Sequence, residues 1–253
     1  MPLYRPIANS THRMLHVECV DSTNAEAMRR AEAGEPGGLW IIADTQTAGR
    51  GRSGRRWSSE AGNLTASLLI RLATPAPKAY QLSLVAGVAV TDAISATMSL
   101  APEACVRLKW PNDILIGAAK AGGILVESSM GAAGLVAVIG IGINLVSHPA
   151  GLGRAATHLG ALGPAPEPGS LLSEIALAMD HWLERWGEGR DFAAVREAWL
   201  GRAHPIGERL SINTGAEAVE GLFGGIDQEG ALLMRDGSGR ERRFSFGDVT
   251  LAG

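Results

Sequence analysis

Four runs of residues in this chain have the types and spacing that chemistry needs. Between Gly49 and Arg56 the sequence packs three glycines and four arginines into eight residues. Glycine lets backbone N–H groups converge and lets a ligand approach closely. Arginine supplies an always-charged fork matched to carboxylate or phosphate. A loop of this kind suits closure over a small anion, although a solvated basic loop or an RNA-binding segment has the same composition. The second run, Lys109-Trp110-Pro111-Asn112-Asp113, ends a strand in an amide and a carboxylate; after proline these are also ordinary turn residues. In the third, Lys120-Ala121-Gly122-Gly123-Ile124-Leu125-Val126-Glu127, a lysine enters a buried strand beside two glycines. A cation held against a ligand that nears the backbone fits that pattern better than a core position does. The fourth, Gly140-Ile141-Gly142-Ile143-Asn144-Leu145, interrupts an apolar strand with an amide that must find hydrogen-bond partners.

Other chemistries lack their residues. The Gly-x-Gly at 140–142 lies within a strand and opens no helix, so it is no dinucleotide fingerprint. No Gly-x-x-x-x-Gly-Lys-Ser/Thr loop occurs, and no Ser/His/Asp or Cys/His set assembles at a telling spacing. Arginine, lysine, Asn/Asp and glycine without a nucleophile favour positioning and charge neutralisation, the means by which phosphoryl and nucleotidyl transfer are catalysed.

Elements must hold these runs in place. Leu15–Val20 reads as a short strand after a loosely held arm. In Asp21-Ser22-Thr23-Asn24-Ala25-Glu26, Thr23 and Glu26 have capping-box spacing, and a helix follows until Gly34. Ser22 and Thr23 thus sit at a helix N-terminus, where they serve as caps or meet a ligand. Leu39–Ala43 reads as a buried strand that delivers the chain into the Arg/Gly loop, and Asn63–Leu72 reads as another, ended by Pro75-Ala76-Pro77. Gln81–Met98 reads as a buried helix, Val106–Trp110 as a strand, and Asp113–Gly117 with Ala121–Ser129 as a hairpin. Leu135–Val146 is a central strand, Gly151–Gly169 a loop, and Leu171–Trp186 and Asp191–Ala203 are helices. From Ile206 on, short alternating runs with Gly-rich turns predict a small all-β barrel. The division falls near His204-Pro205, giving units 1–204 and 205–253.

With 253 residues, 46% of them hydrophobic, the chain supports a sizeable core. A net charge of −3 gives the whole chain no electrostatic attraction to nucleic acid, so any basic function is local. Cys19 and Cys105 match no metal spacing and read as core residues in a reducing compartment. No secretory start and no apolar run long enough for a membrane span stand out, so the expected location is cytoplasmic.

The runs at 49–57, 109–113, 123–127 and 142–144, with Asp21-Ser22-Thr23-Asn24 before them, occur in the order seen in biotin protein ligases. The resemblance extends from about residue 15 to the C-terminus, where Phe246-Gly247-Asp248-Val249 resembles the family's terminal β domain. It implies an α+β fold: a mixed sheet flanked by helices, like class II synthetases and biotin/lipoate ligases, and an SH3-like C-terminal barrel. It also implies a two-step ligation. Biotin's carboxylate attacks the α-phosphate of ATP, giving biotinyl-5′-AMP, and a lysine of a biotin carboxyl carrier domain then attacks the anhydride. Adenylation turns a poor acyl donor into one with a good leaving group, and a lid that keeps water out protects it.

By the same resemblance, Ser22, Thr23 and Gln46 bind biotin's ureido end with the Gly123 backbone nearby. Trp110 walls that pocket. Arg50, Gly51 and Arg52 form the clamp on carboxylate and phosphate. Lys120 neutralises charge on the biotin carboxyl and the α-phosphate. Asp113 orients the reacting groups, directly or through Mg²⁺. Arg52, Arg55, Trp57, Asn112, Asp113 and Asn144 fall on the ATP side. Ser53 stands where some relatives carry arginine, so the loop's charge is not fixed. Bifunctional relatives carry a helix-turn-helix before the catalytic domain. Here only 21 residues precede Ser22, so no repressor activity and no DNA partner are expected. A lipoate or octanoate ligase and an RNA-binding module are the alternatives. The identity of the carrier and the formation of a homodimer stay open.

Overall fold

The computed structural model describes residues 4–73, 78–99, 105–131, 134–150 and 155–251. In chain order the first sheet is built from β1 (Arg5–Pro6), β2 (Arg13–Val20), β3 (Leu39–Gln46), β4 (Leu64–Leu72), β5 (Val106–Lys109), β6 (Asp113–Ile116), β7 (Ala119–Gly131) and β8 (Gly134–Ile143). Their order across the sheet is β1-β2-β3-β4-β8-β7-β6-β5. Among the described strands β2 and β3 alone pair in parallel, joined by the crossover helix α1 (Thr23–Glu32).

Side chains alternate between the two faces of a strand, so one register fixes the whole sheet. Trp40, Ile42, Leu68, Ile139, Ile141 and Ile143 face one way, into the main core with α2 (Gln81–Thr97), α3 (Pro168–Trp186) and α4 (Phe192–Arg202). The intervening residues Leu39, Ile41, Leu69, Val136 and Val138 face the other way and pack against Ala27 and Ala31 of α1. One helix covers only part of that second face. Farther along it lie Thr65 and Ser67 on β4, Gly140 and Gly142 on β8, Gly123 on β7, Asp113 on β6 and Lys109 on β5, brought side by side by the pairings Thr65–Gly142, Gly142–Gly123, Gly123–Asp113 and Asp113–Lys109.

The C-terminal sheet comprises β9 (Arg209–Asn213), β10 (Ala218–Ile226), β11 (Leu232–Asp236), β12 (Glu241–Phe244) and β13 (Asp248–Leu251), in the order β12-β11-β10-β9-β13. The expected small β barrel takes the form of a curled, open sheet: β12 and β13 are its two edges, and no pairing joins them among the described residues. The link from Phe244 to Asp248 spans at most roughly 14 Å. Flat edges would stand about 19 Å apart, so the sheet must curl in the SH3-like manner without closing. It is anchored to the helical side: Trp110 Nε1 donates to Gly230 O at 3.0 Å, and Tyr80 Oη donates to Glu229 O.

Three local expectations change. The helix cap is Ser22, not Thr23, because Thr23 spends its N–H and hydroxyl on Gln46 while Glu26 turns to Arg29 and Arg30. Cys19 and Cys105 are exposed, not core: one lies on β2 beyond the reach of β1, which pairs only with Arg13 and Met14, the other just before edge strand β5. The arm is held from residue 4 onward, by β1 and by Ser10 and Thr11 donating to Asp180. Pro75-Ala76-Pro77 and residues 151–154 of the 151–169 loop lie outside the described residues. Among those described, no helix is long and apolar enough to cross a membrane.

Candidate active site

The uncovered part of the sheet is the floor of a cavity of about 810 Å³, walled by the N-terminus of α1, the Arg/Gly loop, the 204–208 junction and β13. Its volume suits a nucleotide-sized ligand. Glycine at 140, 142 and 123 keeps the floor low: a Cβ at Gly140 would overlap the Asn24 carboxamide, and one at Gly142 the Trp57 indole.

At the α1 end the polar groups are neutral, with Glu127 linking them to the charged middle. Gln46 Oε1 accepts from the Thr23 N–H at 2.7 Å and from its hydroxyl at 3.1 Å, while Gln46 Nε2 donates to Ser59 at 2.8 Å. Ser67 Oγ lies 2.7 Å from Thr23 Oγ1 and 2.6 Å from Asn24 Oδ1. Asn24 in turn donates to Glu127 at 2.8 Å. Ser22 lines the same corner as the cap of α1.

Midway along the floor the groups are charged. Asp113 lies between two ammonium groups, Lys109 at 2.9 Å and Lys120 on its other oxygen, and only 7% of it is exposed. Burial pushes the carboxyl's pKa upward, but Lys120 and Lys109 together outweigh that and hold it below the usual carboxylate value. Two ammonium groups on one carboxylate leave the cluster net positive. Lys120 reaches this face because of a β-bulge. The partner of Leu115 is Lys120 where regular pairing would bring Ala121, so the extra residue turns the lysine toward Asp113 and buries Ala121. Lys120 Nζ also stands 5.9 Å from the Trp57 ring centroid.

The Arg/Gly loop folds over this middle as a small hairpin. Arg50 bridges to Arg56, the Gly51 N–H donates to Arg55 O at 2.7 Å, and the Trp57 N–H donates to Gly49 O at 2.9 Å. Its arginines tie it to three different elements. Arg50 pairs with Glu127 at 3.1 Å; Arg52 donates to Asn112 Oδ1 at 3.3 Å and to Gly247 O at 3.2 Å; Arg55 pairs with Asp248. Burial lowers the pKa of Arg52, against the support of Asp248 and Asp113.

Ser22, Thr23, Gln46, Arg50, Gly51, Arg52, Arg55, Trp57, Trp110, Asn112, Asp113, Lys120 and Gly123 therefore all line one cavity. Asn144 does not. It is buried, its carboxamide donates to Thr157 O at 2.9 Å, and its backbone carbonyl receives the Leu159 N–H. Trp110 lines the wall with its indole N–H turned to the C-terminal sheet. Sequence reasoning assigned no role to Asn24, Lys109, Glu127 and Asp248, though each lies inside a run quoted above. It passed over Ser67, Arg107 and Glu208 altogether. Lys109 carried a usable signal, since its spacing to Asp113 across a tight turn matches a cross-strand pair.

A sequence model described as the Biotin/lipoate A/B protein ligase family matches residues 16–144, and one described as the Biotin protein ligase C terminal domain matches residues 206–251. The biotin–[acetyl-CoA-carboxylase] ligase of Paracoccus denitrificans is 41% identical over 231 residues, 87% of this chain and 93% of that protein. The enzyme of the same name from Mycobacterium tuberculosis is 34% identical over 248 residues, 96% and 90% of the two chains. Among solved structures, the biotin protein ligase from Aquifex aeolicus in complex with biotin and ATP matches with a TM-score of 0.79 at 25% identity, over 94% of this chain and 99% of that one. With relatives this similar along nearly its whole length, and a glycine-floored cavity where its motifs meet, the chain belongs to the biotin/lipoate A/B protein ligase family and is a biotin protein ligase.

Proposed function

We propose that this protein activates biotin with ATP to biotinyl-5′-AMP and transfers the biotinyl group to a lysine of a biotin carboxyl carrier domain in the cytoplasm. The observation that carries this reading is the Lys109–Asp113–Lys120 cluster, set between a neutral, hydrogen-bonding corner and an arginine hairpin. In the first step a carboxylate oxygen of biotin bonds to the α-phosphorus and pyrophosphate leaves. Two anions must approach each other, and Lys120 and Arg52 offset their repulsion. Thr23 and Gln46 orient the ureido end over Gly123, while Arg50, Gly51 and Arg52 close on the carboxylate and phosphate. Arg55, Trp57 and Asn112 face the nucleotide, with Asn144 acting through the Thr157 segment it holds. In the second step the carrier amine bonds to the acyl carbon and AMP departs; Lys120 neutralises the phosphate that carries the electrons away. Trp110 joins the cavity wall to the C-terminal unit, which we take as residues 205–253 against a catalytic unit of 1–204.

Among the described residues the protein's own carboxylates do not form a resident Mg²⁺ site. Both oxygens of Asp113 are taken by ammonium groups, Asp248 pairs with arginines, and no group of three acidic, His or Cys side chains there is placed to hold a metal ion. Magnesium thus belongs to this reading as part of the substrate, Mg²⁺-ATP. Incubation with biotin, Mg²⁺-ATP and an apo carrier domain is expected to label one carrier lysine. Preferential adenylation of lipoate or octanoate in a parallel assay would overturn the choice of substrate.

A further inference from the structure

An imidazole that none of these roles uses stands at the junction end of the cavity. Ala203 bridges in parallel to Leu108 at the edge of β5, which brings His204 alongside Lys109, one strand from Asp113. His204 Nδ1 lies 3.0 Å from Glu208 Oε2. An ionised carboxylate brings no proton to that contact, so the ring donates from Nδ1 and keeps its lone pair on Nε2. Burial pushes the imidazole below the ordinary histidine value; Glu208 opposes the shift, while Arg107 and Lys109 on β5 add to it. The ring is therefore neutral at pH 7, with Nε2 an acceptor. That atom is buried and has no hydrogen-bond partner, although the residue lines the cavity. The two cations that act on the ring through the field are committed elsewhere: Arg107 donates to Ala203 O, and Lys109 donates to Val249 O and pairs with Asp113. A buried acceptor without a donor is costly, and in a residue of the cavity wall it points to a donor that arrives with a ligand and opens the junction to reach it.

The two half-reactions differ in their protons. Attack of a carboxylate on the α-phosphate with loss of pyrophosphate moves none, whereas attack of an amine on the anhydride releases one. We propose that His204, oriented by Glu208, is the base that takes this proton from the carrier lysine during transfer. The role rests on the ligase reading above. The amine nitrogen forms its bond to the acyl carbon, and its proton passes to Nε2. The bond from acyl carbon to phosphate oxygen breaks, its electron pair leaves with AMP, and His204 then releases the proton to water.

The test uses full-length protein loaded with biotinyl-5′-AMP and follows single-turnover transfer to an apo carrier domain and, separately, to hydroxylamine, a weakly basic nucleophile already unprotonated at neutral pH. In His204→Gln, carrier transfer is expected to fall at least tenfold, toward the roughly 10²–10⁴-fold a positioned base contributes. Hydroxylamine release is expected to change far less. Below the histidine's depressed pKa, transfer by the wild type is expected to rise more steeply with pH than it does above that pKa, whereas transfer by the variant rises about tenfold per pH unit throughout, as the free amine accumulates. Glu208→Gln keeps the imidazole and removes the group that raises its pKa, so its acid limb should move to lower pH even if His204→Gln fails to fold. Unchanged carrier transfer in His204→Gln, equal losses with both nucleophiles, or an unmoved acid limb in Glu208→Gln would overturn the role. A wild type that forms no biotinyl adenylate would overturn the ligase reading and this role with it, an outcome distinct from losses confined to the variants.

Discussion

The two ends of the cavity floor are held by different kinds of interaction. At the α1 end Thr23, Gln46, Ser59, Ser67 and Asn24 satisfy one another through neutral hydrogen bonds, several of them buried. Toward β5 and the loop, Asp113, Lys109, Lys120, Arg50, Arg52 and Arg55 are held by ion pairs, with Glu127 and Asp248 as counter-charges. The difference separates two tasks. A neutral network in low dielectric resists change, because each broken bond leaves a buried group unpaired, and so it presents a fixed shape to a neutral ring. Ion pairs at a cavity mouth can exchange partners: the phosphates of a nucleotide can replace Asp248 or Glu127 against the arginines. In the proposed reading one end recognises the neutral ring, and the other responds to charge.

The largest effect is expected at the charged end. Lys120→Ala should keep the fold, since Asp113 retains Lys109, yet lose the cation that faces developing phosphate charge. Biotinyl transfer should fall by about 10²-fold or more, the scale of removing one electrostatic contact to a transition state. Transfer assays paired with thermal melts check this, and wild-type turnover would remove Lys120 from the mechanism.

The neutral end offers the next largest effect. A methyl at Gly140 meets the Asn24 carboxamide, which is itself tied to Ser67 and Glu127, so the network cannot yield at one point alone. Gly140→Ala should cost about 1–3 kcal/mol of packing and weaken biotin binding roughly tenfold. ATP binding should change far less. Calorimetric titration with each ligand separates the two, and equal losses for both would dissolve the distinction between the ends.

How much of this was legible in the sequence follows the same division. The apolar run Leu135–Val146 declares a central strand, and the structure has that strand as β8. The Arg/Gly run likewise announces an anion-facing loop. Pattern reading fails where one residue of register or one tertiary choice decides. Strict alternation back from Gly123 would aim Ala121 at the site; the bulge that substitutes Lys120 depends on pairing with β6. Ser22 and Thr23 are equally good caps by type, and only the distant Gln46 decides between them. The pairing of Arg55 with Asp248 and the bridge of Ala203 to Leu108 join segments far apart in sequence, which no local spacing encodes. The same holds for the unpaired edges of the C-terminal sheet, which resemble a closed barrel until strand partners are known.

A third change probes whether the loop's ion pairs are exchangeable. Arg52 touches Asn112 on the floor and Gly247 on the C-terminal sheet, so it ties the hairpin to both. Arg52→Gly should release the adenylate roughly tenfold faster, the scale of one charge-assisted hydrogen bond. The leak would appear as biotinylation of bystander lysines. An off-rate equal to that of the wild type would mean that the adenylate is retained by the neutral end alone.

The smallest effect concerns acid, and it tests whether the charged end is also the fragile one. Asp113 is held below the usual carboxylate value, so its contribution to stability is complete above about pH 4 and is lost only as pH falls through its lowered folded value. Mild acid should therefore spare it. His12, outside the cavity, behaves differently. It is buried beside Trp40 with Nδ1 lacking a hydrogen bond, and burial lowers its pKa more than Asp180, 3.5 Å away, raises it. The folded state then binds fewer protons than the unfolded chain, so this contribution is complete above about pH 6.5 and is lost as pH falls through the depressed folded value. Between about pH 7 and 5.5 the melting temperature should drop by a few degrees, and His12→Asn should shrink that drop. A drop of the same size in His12→Asn that disappears in His204→Gln would place the acid-sensitive group at the cavity's junction end.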